Sequence, residues 1–308
     1  MRTFTVGVPG GSLFVYAWGD ADCQPLLYWD GLGGSGRHAN EIAPVLAEEY
    51  GLRVLAPDPP GHGRSGRWPA TTYRPSGLAE LAAELLSALD VERAAFLGFS
   101  WGGRVGCSFA ALYSERCSSL ALVEGGHYRA PPPAGDDAAD LAACVAEARS
   151  EREEETFPSW EAYFDYERAS LRRWSPALEE AHRGVMREED GGVAPILQVE
   201  ALGAIKHGNR VEPVTETYAA IRAAGVPVLL VVAARPTGSD VDAAVARFRA
   251  ALPLARIESI PDAIHDLVSF APRELAELVG GFVSGPADAA GPMTPRPRGV
   301  AGRAQPPP

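Results

Sequence analysis

The chain of 308 residues is 46% hydrophobic, so it can bury a sizeable core and has room for one large domain with an inserted piece. Its formal net charge of −12 argues against nucleic acid or an anionic membrane as a partner, because either would call for a basic patch, and favours a small-molecule substrate. The first residues lack the apolar stretch and cleavage signal of a secretory leader, and no apolar run reaches about 18 residues, so we expect a soluble, cytoplasmic protein.

The metal-ligating residue types show no metal-binding pattern. The four cysteines, Cys23, Cys107, Cys117 and Cys144, form no C-x-x-C pair and are predicted to be free, buried thiols. None of the six histidines belongs to an H-E-x-x-H motif. We therefore expect neither a metal nor another cofactor, while the oligomeric state stays open.

The first 126 residues alternate between strand-like and helix-like patterns. Residues 3–8 and 12–18 predict an antiparallel hairpin around a Pro-Gly-Gly turn. Short apolar runs at 25–29, 53–56, 94–97 and 119–123 then alternate with amphipathic stretches at 39–49, 77–89 and 101–112. This alternation is typical of an α/β protein with a parallel sheet and crossover helices.

The alternation stops after Gly126. Residues 127–216 contain helix-period stretches at 139–152, 159–174 and 176–187 and no strand candidate, so they predict an inserted helical block. Strands at 226–233 and 255–260 and helices at 240–252 and 272–283 follow. Residues 285–308 are rich in Pro, Gly, Ala and Arg and are predicted to be disordered. The predicted organisation is therefore a core of 1–126 and 217–284, a cap of 127–216 and a tail.

The segment LYWDGLGGSG at 27–36 allows two interpretations. Gly31, Gly33 and Gly36 fit G-x-G-x-x-G, and Asp58 follows the next strand roughly where a dinucleotide-binding fold places its ribose-binding acid. The same glycines could instead leave backbone N–H groups free to bind a developing oxyanion.

The segment GFSWGG at 98–103 favours the second interpretation. It is a G-x-S-x-G motif between a predicted strand and a predicted helix. A serine in such a tight turn has strained backbone angles, and the strand and helix pass so closely that Gly98 and Gly102 must lack side chains. Ser100 is therefore the candidate nucleophile.

With this motif, the sequence from the N-terminal hairpin to about Val283 resembles the α/β-hydrolase family. The segments DPPGHGRS at 58–65 and PDAIHDL at 261–267 are similar to that family's turn after its fourth strand and to its histidine loop. The resemblance implies a mostly parallel eight-stranded sheet with flanking helices and an inserted helical cap. It also implies a Ser–acid–His order along the chain, so that His265 is the expected base and His62 a structural residue, while His38 and His127 could line the pocket mouth.

The acid of the expected triad has three candidates. Asp240 follows the strand at 226–233 and is the first choice, since it resembles the family's usual acid position. Some members of the family carry the acid after the preceding strand, where Glu124 stands here. Asp242 is the third candidate, and Asp240 could instead cap a helix.

The glycine loop after the third strand is expected to complete the oxyanion hole. In the resembled family one backbone N–H comes from this loop and another from the residue after the nucleophile, which implies Leu32 and Trp101 as donors. Asp30 replaces the histidine with which this loop commonly begins. We expect the Asp30 carboxylate to point away from the oxyanion and to anchor the loop together with Gly31 and Gly33, although it could also tune the pocket.

The resemblance implies a serine hydrolase that cleaves a carboxylic ester, thioester or lactone of a small, partly apolar substrate through an acyl-enzyme. A C–C bond hydrolase, a cofactor-free haloperoxidase or a lyase could use the same triad. A hydrolase-like protein that binds a small ligand without turnover is an alternative of another class. Six aromatic residues of the inserted block are expected mainly to form its core and otherwise to line the substrate pocket: Phe157, Trp160, Tyr163, Phe164, Tyr166 and Trp174.

Overall fold

The computed structural model describes residues 1–171, 173–234 and 239–285. Its strands are β1 (Arg2–Val8), β2 (Gly11–Trp18), β3 (Gln24–Trp29), β4 (Leu52–Pro57), β5 (Ala94–Phe99), β6 (Cys117–Val123), β7 (Met186–Glu189), β8 (Gly192–Pro195), β9 (Val228–Ala233) and β10 (Arg256–Ile260). Its α-helices are α1 (Ile42–Tyr50), α2 (Pro75–Ala88), α3 (Trp101–Leu112), α4 (Asp137–Glu154), α5 (Trp160–Leu171), α6 (Pro176–Arg183), α7 (Val199–Val211), α8 (Tyr218–Ala224), α9 (Asp240–Ala251), α10 (Leu267–Phe270) and α11 (Pro272–Ser284).

The described residues form one eight-stranded sheet in the order β1-β2-β4-β3-β5-β6-β9-β10. The pairs β1–β2 and β2–β4 are antiparallel, and the other neighbours are parallel. Each predicted sheet strand is present with ends within two residues of the prediction. The predicted α/β class with a mostly parallel sheet and flanking helices is therefore confirmed.

Burial on both faces explains why the central strands consist of continuous apolar residues. Every residue of β5 and β9 is buried. Leu27 and Trp29 of β3 belong to the hydrophobic cluster that contains α2 and α3, whereas Leu26 and Tyr28 belong to the cluster with α1 and α11. Alternate residues of one strand thus pack against helices on opposite faces of the sheet.

The segment 127–216 is not purely helical, and the prediction that it holds no strand is wrong. Strands β7 and β8 form an antiparallel hairpin across Asp190 and Gly191, whose φ angles are 49° and 81°. Positive φ at both central residues is the geometry of the tight hairpin turns for which Asp-Gly is favoured. The Asp-Gly dipeptide at 190–191 thus indicates a hairpin, which the prediction of a helical block left out.

The last helix of this segment packs on the main core. Leu197, Ala201, Ala204 and Ile205, in and just before α7, belong to the same buried cluster as α2 and α3. A separate small cluster joins Tyr163 and Phe164 of α5 to strands β7 and β8. The part of the segment that carries its own apolar centre is therefore α5 with the hairpin.

Among the described helices, none is both long enough and apolar enough to cross a bilayer. Apart from Gly285, the tail predicted to be disordered lies outside the described residues, as do Arg235 to Gly238 of the predicted acid loop.

The contact between β3 and α3 makes a testable demand on Gly102. A Cβ atom there would collide with the backbone carbonyl of Trp29, whereas a Cβ at Gly7 in β1 would meet no atom within 4 Å. Because neither backbone can move without disturbing the sheet, we expect Gly102→Ala to lower the free energy of unfolding by about 2–3 kcal/mol. Gly7→Ala should stay within about 0.5 kcal/mol of the wild type.

Denaturant titration of the two variants measures both values. Equal stability of Gly102→Ala and the wild type would show that strand and helix do not approach this closely.

Candidate active site

Ser100 lies in a strained turn between β5 and α3. Its backbone angles are φ 51° and ψ −114°, in a region that residues with a side chain rarely adopt. The N–H of Ser100 donates to the carbonyl of Val123 at 2.8 Å, which ties the turn to β6. A Cβ at Gly98 would collide with the carbonyl of Gly102, so the turn can close only with glycine at 98. This conformation presents the Ser100 hydroxyl at the carboxyl edge of the sheet.

The Ser100 hydroxyl, the His265 imidazole and the Glu124 carboxylate lie in hydrogen-bonded sequence. Oγ of Ser100 is 2.9 Å from Nε2 of His265, and Nδ1 of His265 is 3.0 Å from Oε2 of Glu124. The His265 side chain is half exposed, and the Glu124 side chain is fully buried. This is the geometry in which an imidazole can accept the serine proton while a carboxylate holds its orientation.

Glu124 is fixed by backbone contacts on the strand next to it in the sheet. It follows β6 directly, and its N–H donates to the carbonyl of Val231 at 2.8 Å. The other carboxylate oxygen, Oε1, accepts the N–H of Ala233 at 2.6 Å. With one oxygen held by β9, the second is directed at His265.

The two aspartates considered for the acid lie elsewhere. Asp240 and Asp242 are exposed in the first turn of α9, where the Ser239 hydroxyl accepts the N–H of Asp242 and caps the helix. The structure thus reverses the order of preference from the sequence, because the carboxylate against His265 belongs to Glu124 and not to Asp240. The reason is the sheet order, which places β6 directly beside β5 and one strand closer to Ser100 than β9.

The loop after β3 forms a tight turn beside Ser100. The N–H of Gly34 donates to the carbonyl of Gly31 at 3.1 Å, and Gly33 has a φ of 80°. A Cβ at Gly31 would lie 3.4 Å from the Ser100 Cβ, so the turn is directly adjacent to the hydroxyl. No hydrogen bond among residues 1–171, 173–234 and 239–285 uses the backbone N–H of Leu32 or of Trp101. Both groups can therefore donate to a bound oxyanion.

Asp30 is fully buried at the base of this turn. Its Oδ1 accepts the N–H of Gly31 at 2.8 Å and the hydroxyl of Tyr28 at 2.7 Å, and its Oδ2 accepts the N–H of Ser35 at 2.8 Å. The turn is thus wrapped around the carboxylate. Asp30 anchors the loop in the way expected from the sequence.

His62 supports the same turn from the other side. Its Nε2 accepts the N–H of Gly33 at 3.1 Å, its Nδ1 donates to the carbonyl of Pro60 at 2.8 Å, and its ring stacks on that of Trp101. These contacts require the neutral imidazole, because Nε2 must keep its lone pair. Burial lowers the pKa of His62 to about 4.

A cavity of about 620 Å³ separates this turn from the segment 127–216. Its wall on the sheet side includes the glycine turn, His38, Phe99 and Asp266. Its opposite wall is formed by parts of α4, α5 and α6 and by the β7–β8 hairpin. It includes Glu154, Glu155, Phe157, Tyr163, Tyr166, Glu167, His182, Val185 and Met186. Three of the six aromatic residues singled out in the sequence, Phe157, Tyr163 and Tyr166, thus line the cavity. His127, whose Nδ1 contacts the carbonyl of Gly125, is buried elsewhere.

His38, which the sequence analysis placed at the pocket mouth, lies in the cavity wall, but sequence reasoning missed Asp266, Glu167 and His182 as members of this site. The side chains of His38 and Asp266 approach each other from segments more than two hundred residues apart. Glu167 and His182 lie within the stretches at 159–174 and 176–187, which the sequence identified only as helices of the inserted block. A signal for these residues would have required knowledge of which helix face covers the sheet edge.

Comparison with known proteins agrees with this geometry. Residues 24–145 match the family model described as alpha/beta hydrolase fold. A poly(3-hydroxyalkanoate) depolymerase from Ectopseudomonas oleovorans is 38% identical over 106 residues, which is 34% of this chain and 36% of that protein. The match therefore spans about a third of the length of this curated relative.

Two solved structures superpose over most of the chain. The thioesterase domain from the curacin biosynthetic pathway gives a TM-score of 0.73 at 21% identity and covers 91% of this chain and 99% of that one. The enol-lactonase from Burkholderia xenovorans LB400 gives 0.66 at 20% identity and covers 91% and 100%. The strand order, the family match over residues 24–145 and the two superpositions together show that this chain has the α/β-hydrolase fold.

The neutral state of His62 predicts a loss of stability in acid. Its pKa is about 4 when folded and near 6.5 when unfolded, so the unfolded chain binds the extra proton first as the pH falls. We expect the free energy of unfolding of the wild type to decrease by about 3 kcal/mol relative to His62→Gln between pH 6.5 and 4.

Denaturant unfolding of both proteins at several pH values measures this difference. A difference that is constant across that range would contradict the neutral imidazole under Gly33.

Proposed function

We propose that the protein is a serine hydrolase that cleaves a carboxylic ester, thioester or lactone of a small, partly apolar substrate through an acyl-enzyme. The observation that carries the proposal is the continuous contact from Ser100 through His265 to Glu124. The names of similar proteins, a depolymerase, a thioesterase and a lactonase, support the class of reaction. The substrate itself is inferred from the cavity.

In the first half of the reaction, Ser100 Oγ attacks the substrate carbonyl carbon while Nε2 of His265 takes its proton. The electron pair of the C=O bond moves to the oxygen, which the N–H groups of Leu32 and Trp101 bind. Glu124 stabilises the imidazolium and keeps Nδ1 of His265 protonated. Collapse of the tetrahedral intermediate breaks the bond to the leaving group, which takes the proton from Nε2.

In the second half, water attacks the acyl-enzyme. Nε2 of His265 accepts a proton from the water as its oxygen bonds to the carbonyl carbon, and the same two N–H groups bind the oxyanion. Collapse breaks the bond to Ser100 Oγ, which recovers its proton from His265 and releases the acid. The exposed half of the His265 ring gives water a path to this position.

The cavity wall restricts the charge of the substrate. Phe157, Tyr163, Val185 and Met186 supply apolar surface, while its carboxylates include Glu154, Glu155 and Glu167. No lysine or arginine is found among the described residues of the lining. Burial and then Asp266 raise the pKa of Glu167 to about 7. A neutral or partly apolar acyl group therefore fits this wall better than an anionic one.

The identity of the acid is tested by Glu124→Gln against Asp240→Asn. Since Glu124 contacts His265 and Asp240 lies exposed in the first turn of α9, Glu124→Gln should lower kcat for an activated ester by about 10³–10⁴-fold, and Asp240→Asn should stay within about twofold of the wild type. The rate of Ser100 labelling by a fluorophosphonate should fall in parallel, with Ser100→Ala as the unlabelled control.

The opposite result, full activity in Glu124→Gln and loss in Asp240→Asn, would restore the assignment made from sequence. Absence of both turnover and labelling in the folded wild type would overturn the hydrolase and favour a protein that only binds its ligand.

The charge of the wall is tested with nitrophenyl butyrate against the nitrophenyl monoester of succinate, which are similar in size. Repulsion by the carboxylates should make kcat/KM for the anionic ester about tenfold lower, equivalent to about 1.4 kcal/mol. The ratio of kcat/KM for the neutral ester to kcat/KM for the anionic ester should increase from pH 6 to 8, because Glu167 loses its proton in this range. The same ratio should be smaller in Glu167→Gln than in the wild type. Equal kcat/KM for both esters at pH 8 would contradict the inferred preference.

A further inference from the structure

A chain of three ionisable side chains lies next to the proposed triad without belonging to it. Oδ1 of Asp30 is 2.9 Å from Nδ1 of His38. On the other side of the ring, Nε2 of His38 is 2.8 Å from the hydroxyl of Ser269 and 3.4 Å from Oδ1 of Asp266. The His38 side chain is only 15% exposed. One imidazole is therefore enclosed between two carboxylates.

The contacts of these three side chains join the turn after β3, here called the oxyanion turn, to the loop that carries His265. Asp30 stands at the base of the turn that carries Leu32. Asp266 directly follows His265 and accepts the N–H of Ser269 at 3.0 Å, which caps α10. His38 is thus a direct side-chain link between the oxyanion turn and the histidine loop.

The surroundings of His38 favour its charged form. A carboxylate faces each ring nitrogen, and only the imidazolium can donate from both. Burial alone would lower the pKa of His38, but Asp30 and Asp266 together raise it well above its usual value. In turn, although burial opposes ionisation of Asp266, His38 holds the pKa of that carboxyl well below its usual range.

We propose that His38 is a positioning residue of the hydrolytic reaction: as an imidazolium between Asp30 and Asp266, it offsets the carboxylate charge beside the oxyanion hole and fixes the histidine loop against the oxyanion turn. The inference rests on the proposed function. Asp30 is not a ligand of the substrate in this scheme, and neither is His38.

The positive charge of His38 matters because negative charge develops on the substrate oxygen during the reaction. Two carboxylates and one imidazolium leave one net negative charge in the chain. A neutral side chain at position 38 would leave two, which would oppose the oxyanion and favour protonation of His265. Loss of the His38 charge should therefore act on kcat and on the pKa of the catalytic base.

Other groups around His38 titrate or carry charge and must be included in any pH analysis. They are Tyr28, whose hydroxyl donates to Asp30, Glu167 and His182 across the cavity, and the Arg173–Glu41 pair, which reaches the carbonyl of Ser269. Burial lowers the pKa of His182 to about 4, whereas burial raises the pKa of Glu167 to about 7 and that of Asp58, which interacts with Asp30, to about 6. Repeating each profile in the Glu167→Gln background removes the contribution of Glu167, and Asp58 is present in all the variants compared.

Elsewhere in the protein, His207 of α7 provides a matched control. Its Nδ1 is 2.8 Å from Oδ2 of Asp140 and its Nε2 is 3.1 Å from Oδ1 of Asp137, so it too lies between two carboxylates. It is not part of the cavity lining. His207→Gln therefore makes the same chemical change away from the site.

The experiment compares kcat and KM from pH 5 to 9 for His38→Gln, Asp30→Asn, the double variant and His207→Gln on a neutral activated ester. We expect His38→Gln to lower kcat by about tenfold, to change KM less than about twofold, and to raise the lower pKa of the kcat/KM profile. The double variant should recover part of the lost kcat, because Asp30 then leaves no uncompensated charge. His207→Gln should leave the lower pKa unchanged.

A lower pKa that does not move in His38→Gln, or a double variant no more active than His38→Gln, would overturn the positioning role while turnover by the wild type upholds the hydrolase. Absence of turnover and of Ser100 labelling in the wild type would overturn both.

If His38→Gln fails to fold, the protonation of His38 can be measured directly in the wild type, without substrate. Imidazole ¹⁵N–¹H correlation spectra of the wild type should show His38 still protonated at both nitrogens above the usual pKa of histidine, with the signal assigned by its shift in Ser269→Ala. Titration of His38 near pH 6.5 would overturn the proposal.

Discussion

The close approach of β5 and α3 at Ser100 is the constraint on which the rest of the site depends. The turn closes only because Gly98 and Gly102 lack side chains that would meet backbone carbonyls. It holds Ser100 at a positive φ and brings the start of α3 against the turn after β3. Ser100 and the proposed oxyanion donors, Leu32 and Trp101, are therefore held by the same backbone contacts, which is the arrangement that electrostatic stabilisation of a transition state requires.

Around this turn, the sheet order brings together groups that are far apart in the sequence. The neighbours of β5 are β3 and β6, so the oxyanion turn lies on one side of Ser100 and Glu124 on the other. Buried charges close to the site are compensated: Asp30 by backbone N–H groups and His38, and Glu124 by the N–H of Ala233 and by His265. Such hydrogen bonds offset the free-energy cost of burying a carboxylate.

The segment 127–216 shows how far periodicity predicts structure. The stretches predicted to be helical correspond to α4, α5 and α6, and buried residues of α5 and α6 lie on one side of each helix. The β7–β8 hairpin and the cavity wall were missed, since four-residue strands are too short to establish a period of two. The wall contains residues from several of these elements, so its acidic and aromatic character is a property of their packing.

The sequence by itself determined the α/β fold and marked Ser100 as the candidate nucleophile, because both depend on local patterns of strands, turns and the glycines that a tight turn needs. His265, Leu32 and Trp101 became candidates through the resemblance of their segments to the α/β-hydrolase family. Only the tertiary structure places Glu124 against His265 and His38 between two carboxylates. Glu124 and Asp240 both follow strands and look equivalent in the chain, but only Glu124 ends the strand beside β5, where its side chain reaches Nδ1 of His265. Distance through space selects the partner of a histidine, and that distance exists only once the strands have taken their order in the sheet.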